Sequence, residues 1–322
     1  AGAQVMIPSR KADSCEETAK ELGDAVHWEA GHIGRSEDAE RVIDATGKLV
    51  LPGGIEAHCH IAQESATGGM TADDYRTGSI SAAFGGNSCF VPFAAQHRGM
   101  GVIETLDLYD SRAQRASVID YGYHLIVADP TEKALTTELP QAFARGVTSF
   151  KVFMTYDLMK IDDSQFLDIL SVARSHGALT MVHAENSGII KWISDRLVAA
   201  GHVAPRYHAI SHPAAAEAEA INRAIKMGAA TDCPTYVVHL STQLGLERIK
   251  QAQAQGQKIW TETCPQYLLL SDAEMAKFGP LAKIGPPLRP EDGPDRDALW
   301  NGLRQGQISL VGSDHSPHPE EL

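Results

Sequence analysis

Cysteine is scarce and scattered in this chain of 322 residues. The five cysteines are Cys15, Cys59, Cys89, Cys233 and Cys264. Their number is odd, and no two of them form a CxxC pair. This pattern excludes a disulfide framework and a paired-cysteine metal knuckle, and it is typical of reduced thiols. We therefore expect a cytoplasmic protein.

The chain also has fewer basic than acidic residues and no long apolar run. The chain has 28 basic against 41 acidic residues, a formal net charge of −13. Nucleic acids and anionic membrane surfaces are bound by clustered Lys and Arg, so we expect neither as a partner. No apolar run is long enough to span a bilayer, and Ala1–Arg10 lacks the basic start and apolar stretch of a signal peptide.

From about residue 50 the chain alternates short β-rich runs with Ala-rich helical stretches. The eight β-rich runs are Gly54–His60, Ser88–Phe93, Gly122–Ala128, Ser149–Met154, Leu179–Ala184, Thr235–Leu240, Lys258–Thr263 and Ile308–Ser313. Strands that alternate with helices favour a parallel sheet, and eight such units predict an α/β fold of the (β/α)₈ TIM-barrel type. The alternative is an open doubly wound sheet, which lacks its usual GxGxxG after the first strand.

Residues 1–49 break this rhythm and are predicted to be a separate N-terminal segment. Glu16–Val26 has a helical pattern, whereas Arg41–Val50 has the pattern of a hairpin or short strand. We expect the barrel domain to occupy residues 50–322 and the preceding segment to be a β-rich remnant.

Ionisable residues cluster where the predicted strands end. These residues are His58, His60, His183, His239 and Asp314, and Lys151 lies within the fourth strand. In a (β/α)₈ barrel the carboxyl ends of the strands surround one mouth, so six groups that can bind metal should converge there. His58 and His60 are two residues apart and should face the same side of their strand. Singly, each residue is equally explained as a core histidine or a helix cap, but jointly they favour a metal site.

Lys151 is the unexpected member of this set, because it lies in the apolar strand Ser149–Met154. Two interpretations are open: the side chain extends to the barrel rim or pairs with an acid, or it is buried with a lowered pKa. A neutral, desolvated amine is nucleophilic and can react with carbon dioxide. The resulting carbamate is an anionic oxygen ligand that can bridge two metals, and the neighbouring histidines favour this second interpretation.

Several segments together resemble the cyclic amidohydrolases, specifically the dihydropyrimidinase and hydantoinase branch. The matching segments are Leu51–His60, Ser149–Met154, Val182–Asn186, His212–Pro213, Glu217–Ala220, Val238–Ser241, Glu262–Tyr267, Pro286–Arg289 and Gly312–His315. They follow the order of that family and cover roughly residues 41–318. The resemblance implies metal-dependent hydrolysis of the ring amide of a dihydropyrimidine, a hydantoin or a similar cyclic amide or imide. It also implies that the last barrel helix and most of the family's β-sandwich lie outside this chain.

The resemblance also implies a role for each matched residue. One divalent ion, expected to be zinc, would be held by His58, His60, Lys151 and Asp314. A second would be held by His183, His239 and the carbamate that carbon dioxide forms on Lys151, with a hydroxide bridging the pair. Asp314 would transfer the proton of that hydroxide to the leaving nitrogen, and Tyr156 would hydrogen-bond the developing oxyanion.

A few residues are expected to line the substrate pocket. We expect contacts from Tyr156, Gly285, Gln63 and Phe93, with Gln96 and His97 as further candidates. Gly285 stands where many relatives have a serine that binds the substrate amide through its backbone.

Other functions remain open within and beyond this family. An allantoinase or dihydroorotase would use the same centre, although a dihydroorotase should carry an arginine near the His-x-His pair, and Ile61–Ala72 contains none. A non-catalytic scaffold relative would have lost ligands that this chain keeps. The resemblance further implies a homo-oligomer, either a dimer or a tetramer.

Overall fold

The computed structural model describes residues 5–9, 26–30, 49, 51–64 and 69–319. Near the N-terminus, strand β1 (Val5–Ser9) pairs in parallel with strand β2 (Val26–Ala30). Val26, the last residue of the predicted helix Glu16–Val26, is therefore the first residue of a strand. The rest of that helix and nearly all of the predicted hairpin Arg41–Val50 lie outside the described residues. The domain division at residue 50 stays a prediction.

The described chain forms two compact units. The first is drawn from Ala1–Phe93, Leu108–Tyr123 and His315–Pro319, and the second from Ala94–Asp107 and His124–Asp314. In the first unit, strand β3 (Gly54–Cys59) pairs in parallel with β4 (Asn87–Ala95), which also pairs with β5 (Asp120–Tyr121).

Two helices follow the first strands of this region. Helix α1 (Tyr75–Phe84) begins at a capping box, in which the Asp74 carboxylate accepts from the backbone of Thr77 and the Thr77 hydroxyl accepts from the backbone of Asp74. Such a box satisfies backbone N–H groups that the first helical turn leaves without partners. Helix α2 (Val102–Ala113) follows β4.

The second unit contains six parallel strands in the order of the sequence. They are β6 (His124–Ile126), β7 (Ser149–Phe153), β8 (Leu179–His183), β9 (Thr235–Val237), β10 (Ile259–Thr263) and β11 (Leu310–Val311). Because every pair is parallel, the carboxyl ends of these strands lie at the same edge. Predicted site residues lie at or just beyond the ends of β8, β9 and β11.

Helical segments separate these strands. They are a π-helical turn (Ala134–Glu138), α3 (Leu139–Ala144), α4 (Asp163–His176), α5 (Ser187–Ala199), a 3₁₀ turn (Pro205–Tyr207), α6 (His208–Ser211), α7 (Ala214–Thr231), α8 (Gln243–Ala254), α9 (Pro265–Leu269), α10 (Glu274–Phe278), a second 3₁₀ turn (Gly279–Ala282) and α11 (Asp295–Arg304).

Helix α4 illustrates how the sequence determines the two ends of a helix and its buried face. It begins at Asp162, which forms a capping box with Gln165, and it ends at Gly177 with a left-handed φ of 70°. Glycine adopts that conformation without the penalty a Cβ would bring. Between the caps, the apolar residues Phe166, Ile169, Leu170 and Ala173 are buried at helical spacing. Strand β7, which precedes this helix, is buried along its whole length.

The α/β class predicted from the sequence is confirmed. All eight predicted β-rich runs contain a strand of the structure, and the helices follow them in the expected alternation. Among the described residues, no helix has both the length and the apolar character that crossing a lipid bilayer requires.

Candidate active site

Lys151 lies in the middle of strand β7 with only 1 % of its surface exposed. Burial lowers the pKa of its amine from 10.5 to about 8, although the carboxylates of Asp314 and Glu262 partly oppose the shift. A lysine with this pKa is partly neutral at mildly alkaline pH, and a neutral amine is the form that reacts with carbon dioxide. The second interpretation of Lys151, a buried amine, is therefore the one that the structure supports.

His183 and His239 lie side by side at the carboxyl ends of neighbouring strands. Both are 2 % exposed, and their ring centroids are 4.4 Å apart with an edge-to-face inclination of 68°. His183 Nε2 lies 2.8 Å from a carboxylate oxygen of Glu185. Because a carboxylate accepts, Nε2 carries the proton and Nδ1 of His183 keeps the lone pair that a metal requires.

Glu185 is itself buried, with 1 % of its surface exposed. Burial alone would raise the pKa of this carboxyl, but the hydrogen bond from His183 and the charges of His212 and Arg289 lower it below the usual range. Glu185 is therefore a charged carboxylate that fixes the proton position and ring orientation of His183.

Strand register brings Lys151 and His183 to the same aromatic ring. Ser149, Lys151 and Phe153 alternate along β7, and Phe153 pairs with His183 on β8. The Phe153 ring is stacked on His183 at 5.3 Å, and the Nζ of Lys151 lies 5.0 Å from its centroid. The strand pairing thus determines which side chains share this buried space.

Tyr156 follows β7 in a left-handed conformation with a φ of 67°. Its ring lies 5.0 Å from that of His183. Its hydroxyl occupies the space in front of Gly285, where the Cβ of any other residue would overlap the phenol oxygen. The segment around Gly285 is held by a hydrogen bond from the Tyr267 hydroxyl to the Pro286 carbonyl (2.7 Å) and one from His208 Nε2 to the Ile284 carbonyl (2.7 Å). Glycine at 285 therefore lets Tyr156 approach the backbone.

Replacing Gly285 with serine is expected to displace the Tyr156 hydroxyl and to lower stability. Filling occupied space in a packed site costs about 1–3 kcal/mol. The cost should vanish in a Tyr156→Phe background, because loss of the hydroxyl vacates the space that the new side chain needs. Urea denaturation of the wild type, both single variants and the double variant measures this coupling. An equal cost of Gly285→Ser in both backgrounds would show that the phenol oxygen is not what excludes a side chain at 285.

The second unit also contains a buried polar network that the sequence did not reveal. Arg289 donates to the Ser241 hydroxyl at 2.9 Å and to the His212 carbonyl at 2.6 Å. The carboxylate of Glu217 accepts from the backbone N–H of Ser241 at 2.9 Å and from the Thr242 hydroxyl. Ser241 lies two residues after His239, so this network supports the segment that carries a predicted ligand. The matched motifs contain Arg289, Ser241, His212 and Glu217, but nothing in their spacing shows that they are buried.

The first unit holds the other two predicted histidines. His58 is fully buried and His60 is 7 % exposed. Their ring centroids are 5.6 Å apart, and the buried ring of Phe93 lies 4.9 Å from each. His60 Nδ1 lies 2.7 Å from the side-chain oxygen of Gln63, which accepts its proton and leaves the lone pair on Nε2. Gln63 and Phe93 thus contact the histidine pair, and their contact with a substrate stays a prediction.

His315 ties the end of the described chain to β3 within the first unit. Its carbonyl accepts from the backbone N–H of His60 at 2.7 Å, and its Nε2 lies 2.7 Å from the carboxylate of Asp73. Asp314, the residue before it, has a φ of 50°. This left-handed residue redirects the backbone three residues after the end of β11.

Left-handed backbone is concentrated at the predicted site. Five described residues other than glycine have such a φ, and three of them are Tyr156, His239 and Asp314. The conformation costs on the order of 1–3 kcal/mol for such residues and is typical of functional positions. The shared left-handed conformation supports a functional role for these three residues, and this evidence is independent of their side-chain chemistry.

The two further pocket candidates differ in their surroundings. The Gln96 side chain is buried: its oxygen accepts from the backbone of Ala128 and of Asp129, both at 3.1 Å, and its nitrogen donates to the Met100 carbonyl. Gln96 therefore supports the loop after β4. His97 is exposed.

The chain was compared with families, curated proteins and solved structures. No family model matches it. It is 42 % identical to the D-hydantoinase of Ralstonia pickettii over 281 residues, which are 86 % of this chain and 61 % of that protein. It is 39 % identical to the D-hydantoinase of Geobacillus stearothermophilus over 289 residues, 88 % of this chain and 60 % of the relative. The chain belongs to the dihydropyrimidinase and hydantoinase branch of the cyclic amidohydrolases.

Solved structures of this branch have the same fold. The dihydropyrimidinase from Brevibacillus agri matches with a TM-score of 0.84 and 37 % identity, covering 90 % of this chain and 62 % of that structure. A D-hydantoinase (dihydropyrimidinase) from Thermus sp. matches with a TM-score of 0.82 and 30 % identity, covering 93 % and 62 %. The predicted TIM-barrel fold of this family member is confirmed. The chain spans about 61 % of the length of the Ralstonia pickettii relative.

Proposed function

We propose that this chain carries the catalytic barrel of an enzyme that hydrolyses the ring amide bond of a small cyclic amide or imide. Dihydropyrimidines and hydantoins are the expected substrate class. The observation that carries the proposal is the buried Lys151 amine, with its pKa of about 8, in the same unit as the His183–His239 pair. An uncompensated buried amine is costly, and its place beside two buried histidines is explained by a metal site.

The side chains fit two divalent cations, and zinc is the proposed pair. Buried imidazoles with oriented protons are suitable zinc ligands, as found at His183, and carboxylate or carbamate oxygens complete such shells. We assign His183 and His239 to one ion and Asp314 to the other. Lys151, converted to its carbamate by carbon dioxide, is assigned to both. The carbamate would supply a negative charge that a neutral amine lacks.

We assign His58 and His60 to the ion held by Asp314. Chain connectivity supports this assignment, because Asp314 immediately precedes His315, whose carbonyl accepts from the backbone of His60. The orientation of His60 supports it too, since Gln63 holds Nδ1 and leaves Nε2 with the lone pair. A His-x-His pair on one strand face is a suitable chelating geometry.

When bound, the two cations would lower the pKa of a shared water and polarise the scissile carbonyl. Two side chains of this chain would carry out the proton transfer and the stabilisation of the oxyanion. Asp314 accepts the proton of the attacking water and passes it to the ring nitrogen, so that the C–N bond breaks with a protonated leaving group. The Tyr156 hydroxyl donates a hydrogen bond to the carbonyl oxygen as its negative charge develops. The products are a carboxylate and an amide or ureido nitrogen on one open chain.

A substrate panel tests this proposal. The protein is stripped with a chelator and reloaded with zinc, cobalt or manganese in bicarbonate buffer. It is then assayed for ring opening of dihydrouracil, hydantoin and succinimide by chromatography. We expect turnover of at least one of these compounds, its loss on chelation and its recovery on reloading.

The zinc content of the same samples makes a negative result informative. If the chain binds two zinc ions and opens none of the three rings, the proposed activity is wrong while the metal centre stands. If it opens a ring at an unchanged rate after chelation, the proposed metal dependence is wrong.

The relatives do not favour the alternatives of an allantoinase, a dihydroorotase or a non-catalytic scaffold. We propose that the protein forms a homodimer or a homotetramer. We also propose that it is cytoplasmic, because five scattered cysteines are typical of a reducing compartment. A net charge of −13 argues against nucleic acid or an anionic membrane surface as a partner.

A further inference from the structure

The buried carboxylate of Glu262 joins two strands behind His239. Glu262 lies on β10 with no exposed surface. One carboxylate oxygen accepts the backbone N–H of His239 at 3.3 Å, and the other accepts the hydroxyl of Tyr236 at 2.9 Å. Burial, with Glu262 beside it, raises the pKa of Tyr236 far above its usual value, so the hydroxyl stays protonated and remains a donor.

The backbone that Glu262 contacts is strained. His239 has a φ of 40°, a left-handed conformation that is uncommon for residues other than glycine, although histidine adopts it more often than most. Such a residue costs on the order of 1–3 kcal/mol and persists only where its surroundings hold it. The main chain of Glu262 adds a second anchor, since its carbonyl accepts the N–H of Leu240 at 2.8 Å. Glu262 therefore holds this turn through both its side chain and its backbone.

The turn sets the direction of the His239 imidazole. In its present conformation the ring lies 4.4 Å from that of His183. A change in φ at His239 would swing the ring about the backbone and separate the two imidazoles. His183 has its own buried carboxylate partner in Glu185, so each of these histidines is held by a glutamate that the proposed reaction does not consume.

We propose that Glu262, oriented by Tyr236, is a positioning residue that holds His239 in its metal-binding conformation. The inference rests on the proposed function, in which His239 binds one of two divalent ions. Glu262 acts through the backbone of His239. Its loss should weaken one metal site and leave the fold intact.

Glu138 provides a matched control within the same unit. It is a buried glutamate that accepts one backbone N–H, from Val102 at 2.8 Å, and is paired with one side-chain donor, Lys133, at 2.7 Å. Glutamine makes the same chemical change at Glu138 and at Glu262, each a buried glutamate with one backbone donor and one side-chain donor. Only Glu262 contacts a predicted ligand.

The test measures zinc affinity in Glu262→Gln, Tyr236→Phe and Glu138→Gln by competition with a chromophoric chelator. Outer partners of metal ligands typically contribute 10- to 100-fold in affinity. We expect Glu262→Gln to weaken one of the two zinc sites by about 10- to 100-fold, and Tyr236→Phe to weaken it less. Glu138→Gln should match the wild type. Excess zinc should restore ring opening in Glu262→Gln, which a loss of folding could not explain.

Two results would overturn the positioning role. One is an unchanged zinc affinity in Glu262→Gln and Tyr236→Phe. The other is an equal loss in Glu138→Gln, which would trace the effect to general destabilisation. The wild-type measurement separates this inference from the function on which it rests. Failure of the wild type to bind zinc would overturn both, whereas normal binding in Glu262→Gln would overturn the inference alone.

Discussion

Replacement of Lys151 by methionine is expected to abolish ring opening without destabilising the metal-free protein. Removing one member of a catalytic group that acts as a unit costs about 10⁴- to 10⁶-fold in kcat. Methionine nearly preserves the side-chain volume, and it removes a buried amine whose protonated form is costly in strand β7. Turnover of hydantoin and the urea midpoint of the stripped protein measure the two effects. Retention of even one-hundredth of the wild-type kcat would contradict the assigned role.

The same variant gives a pH dependence of stability with a defined sign. In the folded, metal-free protein the amine of Lys151 has a pKa of about 8, against 10.5 in an unfolded chain. Between these values the unfolded chain binds a proton that the native protein has released. Stability therefore rises with pH, by up to roughly 3 kcal/mol for this group. Below pH 8 the full penalty is present, and above 10.5 it is absent.

Lys151→Met should lack this rise. The difference in unfolding free energy between variant and wild type should be largest below pH 8 and should shrink towards zero by pH 10.5. Urea denaturation at several pH values measures the difference, and titration of groups that do not interact with Lys151 cancels in it. A constant difference across this range would mean that the amine is not desolvated.

Replacement of Asp314 by asparagine is the second substitution with a large expected effect. Asparagine has nearly the same shape and tolerates a left-handed φ, so the conformation at 50° should survive. It cannot accept and return a proton, and it supplies no negative charge to a cation. We expect kcat to fall by about 10²- to 10⁴-fold, measured with dihydrouracil at saturating zinc.

Asp232 is the matched control for this substitution. It also has a left-handed φ, of 51°, but it caps helix α7 and its side chain pairs with Arg174 at 2.8 Å. Asp232→Asn should leave kcat unchanged. If Asp314→Asn keeps more than a tenth of the wild-type kcat with zinc bound, another group moves the proton.

Hydrophobic patterning predicted the order of strands and helices but placed some ends wrongly. The run Thr235–Leu240 is apolar enough to be strand throughout, yet β9 ends at Val237 because His239 turns left-handed two residues later. Similarly, β11 covers only Leu310–Val311 of the predicted Ile308–Ser313, and Asp314 turns soon after. The left-handed residues that follow these strands are polar, and the pattern of apolar residues contains no signal for the turns that they make.

The helix starts show a related difference. The stretch predicted as Pro290–Gln305 becomes helical only at Asp295, after Pro294, since proline is suited to the start of a helix and not to its interior. The predicted helix Thr137–Arg145 is preceded by a π-helical turn from Ala134 that overlaps its start, and no simple sequence pattern marks such a turn.

The residue types of the proposed metal centre could be predicted because zinc accepts few kinds of ligand. Imidazole and carboxylate at strand ends, together with a lysine inside an apolar strand, are informative in themselves. The carboxylates of Glu185 and Glu262 could not be predicted in the same way. A glutamate near a strand end is equally compatible with a solvated side chain, and only packing shows that these two are buried. The contact between Tyr156 and Gly285 joins distant parts of the chain and likewise depends on the fold.

The burial of Lys151 also has a consequence for the proposed carbamate. A strand without solvent access admits a small uncharged gas far more readily than hydrated bicarbonate, so the proposed carbamate should form at a rate that follows dissolved CO₂ and not total carbonate. Protein prepared under degassed, mildly acidic conditions should therefore load metal slowly. A brief exposure to CO₂ at alkaline pH before metal is added should shorten that lag.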